Sequence, residues 1–538
     1  MKYKIKEFMK ADISKFYILG VGVICLLLVG AYFSYAMFTV SKEKSNAVSI
    51  VTGNLTYKLL VDGEEGNTLT VPEGTTKEFI ITLSNPNNRV ARFNFYYIGD
   101  LQDGVTVGYV PVKGVSTPPD EKGINLEISG TSGSSSTYRI QVKNSFDSEI
   151  TITLGVGVGL DYNDLSLPSN GHLFNEIELD EGAKKVLADN ELQEEKTNMF
   201  NYASNGNYLD MSSGPQNNPE YVTNGLYSME DEDGVSYYFR GNVTNNNVQF
   251  GEYTEDYYVY NYGSRFFQSL ASCQEYNSSC SESNRVLLAS KGDKMYWKIV
   301  RVNGDGSLRL IYNGTSVNPT NTDLVNSFAV GMTSYNLEYN DPKYTGYTYD
   351  NGTDSFIKKE VDTWYKNTLG SNSSYDSKVL GGRFCSDSSG YKPASEYGFS
   401  GMDFNVFASY DRLGQSATNY AKPNAPVLNC PSTSEIYGGS YRLKAGLITA
   451  DELVLGGENP GVTTDSYLNP GDSEMYYWSM TPAVFYNGRA IVWGERERLD
   501  VNGVGNIYAF AVRPVINVTT ENGFTSGDGT LENIYVIS

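Results

Sequence analysis

The chain has 538 residues and a formal net charge of −22, with 40% hydrophobic residues, 43 tyrosines and 54 glycines. Its length suggests three or four domains, and so acidic a chain would be repelled by nucleic acid. It is too apolar and aromatic to be intrinsically disordered. Because strands favour aromatic residues and turns favour glycine, the composition is typical of a β-rich protein.

One long apolar segment without charge covers residues 16–40. As a helix it would extend about 37 Å, more than the about 30 Å of a bilayer's hydrocarbon core. Lysines dominate residues 1–15, and basic flanks stay in the cytoplasm. We therefore predict a cytoplasmic tail (1–15), a transmembrane signal-anchor helix (16–40) that binds the plasma membrane in a single pass, and an extracellular location for the rest. Cleavage as a secretory signal near Ala36 is the alternative, because Ser34-Tyr35-Ala36 is a small-x-small site.

Four cysteines follow the apolar segment: Cys273, Cys280, Cys385 and Cys430. An even number in an oxidising compartment predicts two disulfides. Of the three possible pairings, proximity along the chain favours Cys273–Cys280 and Cys385–Cys430. Free buried thiols are the alternative.

Residues 46–165 alternate between apolar and polar side chains with a period of two, as in Phe79, Ile81 and Leu83. Turn clusters such as SNPNN separate these runs, at the spacing of a β-sandwich. We predict an immunoglobulin-like sandwich that serves as a stalk. Residues 172–220 then form a helical segment, with Asp180 as N-cap and Asn190 as C-cap, and a polar linker.

Residues 221–538 contain all four tryptophans and all four of these cysteines, so they form a separate domain. The segment 295–314 predicts a hairpin that turns at Asn303-Gly304-Asp305-Gly306. A helix is expected over 356–370 and a shorter one over 447–457, where Thr449 and Glu452 have the spacing of a capping box. Strands with two helices predict an α+β domain.

The motifs GLYSMEDEDGVSYYFRGNV, YWKIVRVNGDGSLRLIYNG, LITADEL and GDGTLEN resemble those of a largely uncharacterised family of anchored surface proteins from Gram-positive bacteria. The ending YYWSMTP…AVRPVIN is similar to C-type lectin-like domains and to the formylglycine-generating-enzyme fold. The resemblance covers 221–538 and implies a C-type lectin-like fold that binds a ligand through its late loops. The chain lacks the Glu-Pro-Asn or Gln-Pro-Asp calcium motif of carbohydrate-binding members. It also has no cysteine after Cys430, which the formylglycine-generating enzymes would need.

The candidate binding residues lie where a lectin-like fold has its ligand loops: Tyr476, Tyr477, Trp478, Tyr486, Trp493 and Glu495. Exposed rings would stack on sugars or anchor a protein partner, whereas buried rings would belong to the core. Glu495 and Glu497 could instead be paired carboxylates acting on a glycoside, although alternating charges at a hairpin edge account for them as well.

The sequence contains few of the motifs that other kinds of catalysis require. His172 is the single histidine and has no nucleophile elbow near it. No CxxC pair or phosphate-cradling loop occurs, and the acidic glycine loops lack the spacing of an EF-hand loop, so we predict no cofactor and no metal.

These observations predict a non-catalytic, membrane-anchored bacterial surface protein that binds an extracellular glycan or protein. A purely structural envelope component and, third, an extracellular enzyme are the alternatives.

Overall fold

The computed structural model of the chain describes residues 55–538, with several gaps. These gaps are residues 111, 114–122, 132–133, 161–164, 166, 196–222, 320–323, 325–326, 391, 394–403, 414–424, 432–437, 459–464, 470–474, 496–498 and 506–507. The predicted cytoplasmic tail (1–15), membrane helix (16–40) and most of the polar linker therefore lie outside the described residues. In the part of the chain that is described, no helix is long and apolar enough to cross a membrane.

The predicted fold class, which combined a transmembrane helix, an all-β sandwich and an α+β domain, is wrong. The structure is mostly β, with 43% of residues in strands and 14% in helices, and no described helix could span a bilayer. The physical reason is that the two helices expected in the C-terminal region are short, with 12 residues at Phe356–Asn367 and six at Ala450–Leu455. Most of the remaining regular structure of that region pairs into sheets.

The chain folds as two compact units, one formed by residues up to Val110 and Ser116–Glu176, the other by Pro111–Val115 and Ile177–Ser538. In the described residues of the first unit, six strands form one sheet, in the order Asn175–Glu176, Val105–Tyr109, Ser135–Asn144, Thr76–Ser84, Lys58–Val61 and Glu64–Glu65. Five form another, Gly171–His172, Ala91–Ile98, Ile150–Gly159 and Thr68–Val71, with Ile124–Ile128 paired to Ala91–Ile98.

Both sheets of the first unit contribute side chains to one hydrophobic core. Phe79, Ile81 and Leu83 are buried in it, as the period of two predicts. The strand Ile150–Gly159 carries glycines on its other face for a steric reason. A Cβ at Gly155 would lie 2.1 Å from the Tyr96 ring of the neighbouring strand, so only glycine fits there.

Two large sheets build the described part of the second unit. The first runs Gly225–Asp231, Gly234–Arg240, Lys294–Val302, Leu308–Tyr312, Val515–Val518 and Val379–Leu380, with Asn247–Glu252, Tyr535–Ile537 and Ala445–Gly446 attached. The second runs Arg285–Ala289, Tyr257–Tyr262, Arg265–Phe267, Gly331–Thr333, Phe510–Val512, Tyr477–Tyr486, Phe404–Val406 and Lys392–Pro393, with Arg489–Glu495 and Leu499–Gly503 attached. Two small ribbons pair Thr348–Tyr349 with Thr353–Asp354 and Gly382–Ser386 with Gly439–Leu443.

The described helices all belong to the second unit. The α-helices are Glu181–Asp189, Leu270–Tyr276, Phe356–Asn367, Ser373–Asp376, Ala408–Arg412 and Ala450–Leu455. The 3₁₀ helices are Glu282–Asn284, Pro342–Thr345 and Leu369–Ser371.

Local sequence signals explain how several of these elements begin and end. The capping box of Thr449 and Glu452 starts the helix Ala450–Leu455, and Ser355 caps Phe356–Asn367, which ends at Asn367 and not at the predicted Gly370. Asp180 precedes its helix without capping it, because its carboxylate accepts the hydroxyl of Thr519 at 2.9 Å.

The predicted hairpin 295–314 is confirmed as Lys294–Val302 paired with Leu308–Tyr312. Its turn needs a positive φ at Gly306, where φ is +84°. The strands Gly234–Arg240 and Asn247–Glu252 follow one another along the chain and pair with different parts of Lys294–Val302.

Candidate ligand-binding clefts

Both predicted disulfides are confirmed. Cys273–Cys280 lies in the interior at the helix Leu270–Tyr276, with both cysteines at most 2% exposed. Cys385–Cys430 joins the ribbon Gly382–Ser386 to a neighbouring loop.

The structure buries four of the six predicted binding residues. Tyr477, Trp478 and Trp493 are fully buried and Glu495 is 1% exposed. A ligand cannot contact these side chains, so the prediction that they form an exposed aromatic patch is corrected. Two paired strands are the reason: nine of the ten residues of Tyr477–Tyr486 and five of the seven residues of Arg489–Glu495 are buried.

Trp478 and Trp493 are core residues whose indole N–H groups are hydrogen-bonded. The Trp478 Nε1–H donates to the backbone carbonyl of Thr333 at 2.8 Å, and the Trp493 Nε1–H donates to the Ser409 hydroxyl at 3.1 Å. Buried indoles need such partners, and these two anchor neighbouring segments to the sheet.

The remaining two predicted residues are accessible. Tyr476 is half-buried and packs edge-on against Phe510, whereas Tyr486 is 42% exposed at the end of its strand. Tyr486 is therefore the predicted residue that the structure leaves most open to a ligand.

His172 belongs to the first unit and makes ordinary structural contacts. Its ring stacks on Tyr97 with 5.2 Å between centroids, and its Nε2 lies 3.5 Å from the exposed carboxylate of Asp100. Glu497 lies outside the described residues.

A charged cleft of about 430 Å³ lies beside the disulfide Cys385–Cys430, and buried ion pairs line it. The Arg301 guanidinium lies 2.6 Å from the Asp231 carboxylate and 3.3 Å from that of Glu452, which also pairs with Arg309. Burial alone would raise the pKa of Glu452, but Arg309 and Arg301 hold it below its ordinary value. Glu452 is therefore ionised and its charge is neutralised inside the protein.

A second ion-pair group at the charged cleft centres on Arg412. This guanidinium contacts both oxygens of Asp451 at 2.9 Å and lies 2.9 Å from Asp387. Asp451 also accepts the backbone N–H of Val427 at 2.9 Å. These carboxylates are held by the protein's own cations, so the arrangement does not leave an acid–base pair ready for a substrate.

A different cleft, here called the tyrosine cleft, is lined by Tyr339, Arg489, Ala490, Gly503, Gly505 and Tyr508, and has a volume of about 300 Å³. Tyr339 is 41% and Tyr508 37% exposed. Among the described residues, the large exposed hydrophobic side chains include three aromatic ones, namely these two and Tyr486.

Backbone hydrogen bonds hold the walls of the tyrosine cleft in place. The Ala490 N–H donates to the Tyr339 carbonyl at 2.7 Å, and the Val504 N–H donates to the Ala490 carbonyl at 3.0 Å. The Tyr508 N–H donates to the Gly505 carbonyl at 3.2 Å. The three segments that carry the side chains are thus tied together through their main chains.

The two glycines of the tyrosine cleft make room for its rings. A Cβ at Gly505 would lie 2.5 Å from Cδ1 of Tyr339, and a Cβ at Gly503 would lie 3.1 Å from the Tyr508 ring. The first distance is too short for any real contact, so a side chain at 505 would displace the Tyr339 ring.

A tight hairpin turn presents Arg489 to the tyrosine cleft. Asn487 and Gly488 both have positive φ, 50° and 70°, which is the geometry of a type I′ turn. Arg489 pairs directly with Tyr486 across this hairpin, so the two side chains lie on the same face of the sheet. The Asn-Gly dipeptide was the local signal that could have predicted this turn.

Among the described residues, no group of three or more histidine, cysteine or acidic side chains is placed to hold a metal ion. Comparison of the chain with protein-family models, with curated proteins and with solved structures found no match.

Proposed function

We propose that the chain is a non-catalytic surface protein of a Gram-positive bacterium that binds a glycan outside the plasma membrane, at the tyrosine cleft. The observation that carries this proposal is the pair of exposed rings, Tyr339 and Tyr508, in one cleft with a guanidinium. Tyrosine rings offer flat apolar faces for the C–H face of a sugar, and their hydroxyls can hydrogen-bond to its hydroxyls.

The disulfides support the extracellular location, because such bonds form and persist in oxidising compartments. The charged cleft gives no support to an extracellular enzyme. Its carboxylates Glu452 and Asp451 are each bound by arginines, whereas a general acid or base needs a carboxylate that is open to the substrate.

The test is binding of the full chain to a glycan array, followed by titration of each glycan that binds. Tyr508→Ala should weaken binding at least tenfold, since truncation of an aromatic contact at the centre of a site commonly has an effect of this size. Tyr258→Ala is the matched control, because Tyr258 lies near the far edge of the same sheet, where it stacks on Arg285.

Gly505→Ala tests the site without removing any tyrosine. Its added Cβ must displace the Tyr339 ring, so glycan binding should weaken while near-ultraviolet circular dichroism still reports a folded chain. A folded chain that binds no glycan, or glycan binding that Tyr508→Ala leaves unchanged, would contradict the proposed function.

A further inference from the structure

We propose that the glycan bound in the tyrosine cleft is acidic, and that Arg489 binds a carboxylate on one of its sugar rings. This inference rests on the proposed function and names the class of sugar. One guanidinium, that of Arg489, lies in the cleft together with two exposed tyrosine rings.

Arg489 differs from the arginines of the charged cleft in how its charge is balanced. Arg301, Arg309 and Arg412 are buried or nearly so, and each lies against carboxylates of the protein. Arg489 is exposed, lines a cleft, and has no ion-pair partner in the part of the chain that the structure describes.

The lack of an ion-pair partner for Arg489 among the described residues is informative, because the chain is rich in acidic residues. It contains 63 aspartates and glutamates against 41 lysines and arginines, so potential partners for a cation are abundant. A guanidinium that faces a cleft without one of them is available to an anion from outside. Its planar set of N–H donors matches a carboxylate in a bidentate way.

The tyrosine rings restrict the anion to one that is attached to a flat, partly apolar body. A sugar ring with a carboxylate meets both requirements, because its C–H face can lie against Tyr339 or Tyr508 while its carboxylate reaches Arg489. The net charge of −22 does not prevent this. At physiological ionic strength the Debye length is about 8 Å, so distant acids are largely screened and the nearby cation dominates.

The test compares each uronic-acid oligosaccharide with its carboxyl-reduced form, in which –COO⁻ has become –CH₂OH and the ring is otherwise unchanged. The full chain should bind the acidic form at least tenfold more tightly. Arg489→Gln should remove this difference, because it weakens binding of the acidic form far more than binding of the reduced form. Arg285→Gln is the matched control, since it changes the net charge equally at an exposed arginine of the opposite sheet edge.

Four outcomes separate this inference from the proposed function. A preference for the acidic form that disappears in Arg489→Gln supports both. Equal binding of both forms that Tyr508→Ala weakens overturns the inference and leaves the glycan-binding function intact. No binding of any glycan overturns both. Binding of a poly-glutamate peptide in place of glycans also overturns both, because the cleft would then recognise acidic protein segments.

Discussion

The buried carboxyl of Glu360 should make the stability of the second unit depend on pH. Glu360 lies in the helix Phe356–Asn367, is fully buried, and accepts the backbone N–H of Gln268 at 2.7 Å. Its other oxygen, Oε1, has no hydrogen-bond partner among the described residues. Burial raises the pKa of Glu360 from its ordinary 4.5 to about 7, and the backbone hydrogen bond from Gln268 offsets only part of this effect.

The sign of the effect follows from the two pKa values. Between about pH 4.5 and pH 7, Glu360 is protonated in the folded protein and ionised in the unfolded one, so the folded state binds more protons. The stabilisation is therefore fully present below pH 4.5 and is lost as the pH rises through 7. At about 1.4 kcal/mol per unit of pKa, the loss between pH 4.5 and pH 8 amounts to about 3 kcal/mol.

The substitution Glu360→Gln keeps the shape of the protonated side chain and cannot ionise. We expect the variant to unfold at a higher urea concentration than the wild type at pH 8 and at a similar one at pH 5. Tryptophan fluorescence is the readout, because all four tryptophans belong to the second unit and Trp364 lies one turn from Glu360. The signal therefore reports the unit that contains the substitution.

Glu275→Gln is the control, since Glu275 lies nearby but is half exposed and pairs with Lys359. It should keep most of the pH dependence of the wild type, because burial and not the charge of Glu275 is the main cause of the raised pKa of Glu360. If the wild type and Glu360→Gln lose stability in parallel between pH 5 and pH 8, the folded pKa of Glu360 is not raised and the argument fails.

Three further substitutions test other parts of the structure, each by urea unfolding. Glu452→Gln should destabilise the chain by about 3 kcal/mol, because it leaves two buried guanidinium groups without their shared carboxylate; a loss below 1 kcal/mol would show that the cluster is hydrated. Trp493→Ala should cost about 3–5 kcal/mol through the cavity it creates, and glycan affinity measured on the remaining folded protein should not change. Replacing Cys385 and Cys430 by serine should lower the free energy of unfolding by about 4 kcal/mol, since their bond closes a loop with a sequence separation of 45. The same replacement at Cys273 and Cys280, with a separation of 7, should lower it by about 2.5 kcal/mol. Equal losses for the two disulfides would contradict the loop-entropy reasoning.

Local patterns predicted the elements that depend on neighbouring residues. The alternation at Phe79, Ile81 and Leu83, the hairpin at 295–314 and the capping box of Thr449 follow from spacings of two to four residues or from turn chemistry. The disulfides were predictable because proximity along the chain favours short loops. The predicted fold class contained too much helix, because two short helical patterns do not show how many strands surround them.

The binding site could not be predicted in the same way. Trp478 and Trp493 are aromatic and close in sequence, but each lies in a mostly buried strand, Tyr477–Tyr486 or Arg489–Glu495. An apolar run does not show which of its faces is open. Tyr339 and Tyr508 meet only because folding brings distant segments together. Glu360 carried a local signal that was missed: it falls within the apolar stripe of Ile357, Val361 and Trp364 on its helix.

The position of one late segment bears on how the protein folds as it is synthesised. Phe510–Val512 lies between Gly331–Thr333 and Tyr477–Tyr486 in one large sheet, and a few residues later Val515–Val518 lies between Leu308–Tyr312 and Val379–Leu380 in the other. Neither sheet is continuous without these strands, and their pairings span up to about two hundred residues of chain. Strands that pair over such distances form slowly. The second unit therefore completes its folding only after residue 518 has been synthesised, so several hundred residues with unpaired strand edges must be kept from aggregating until then.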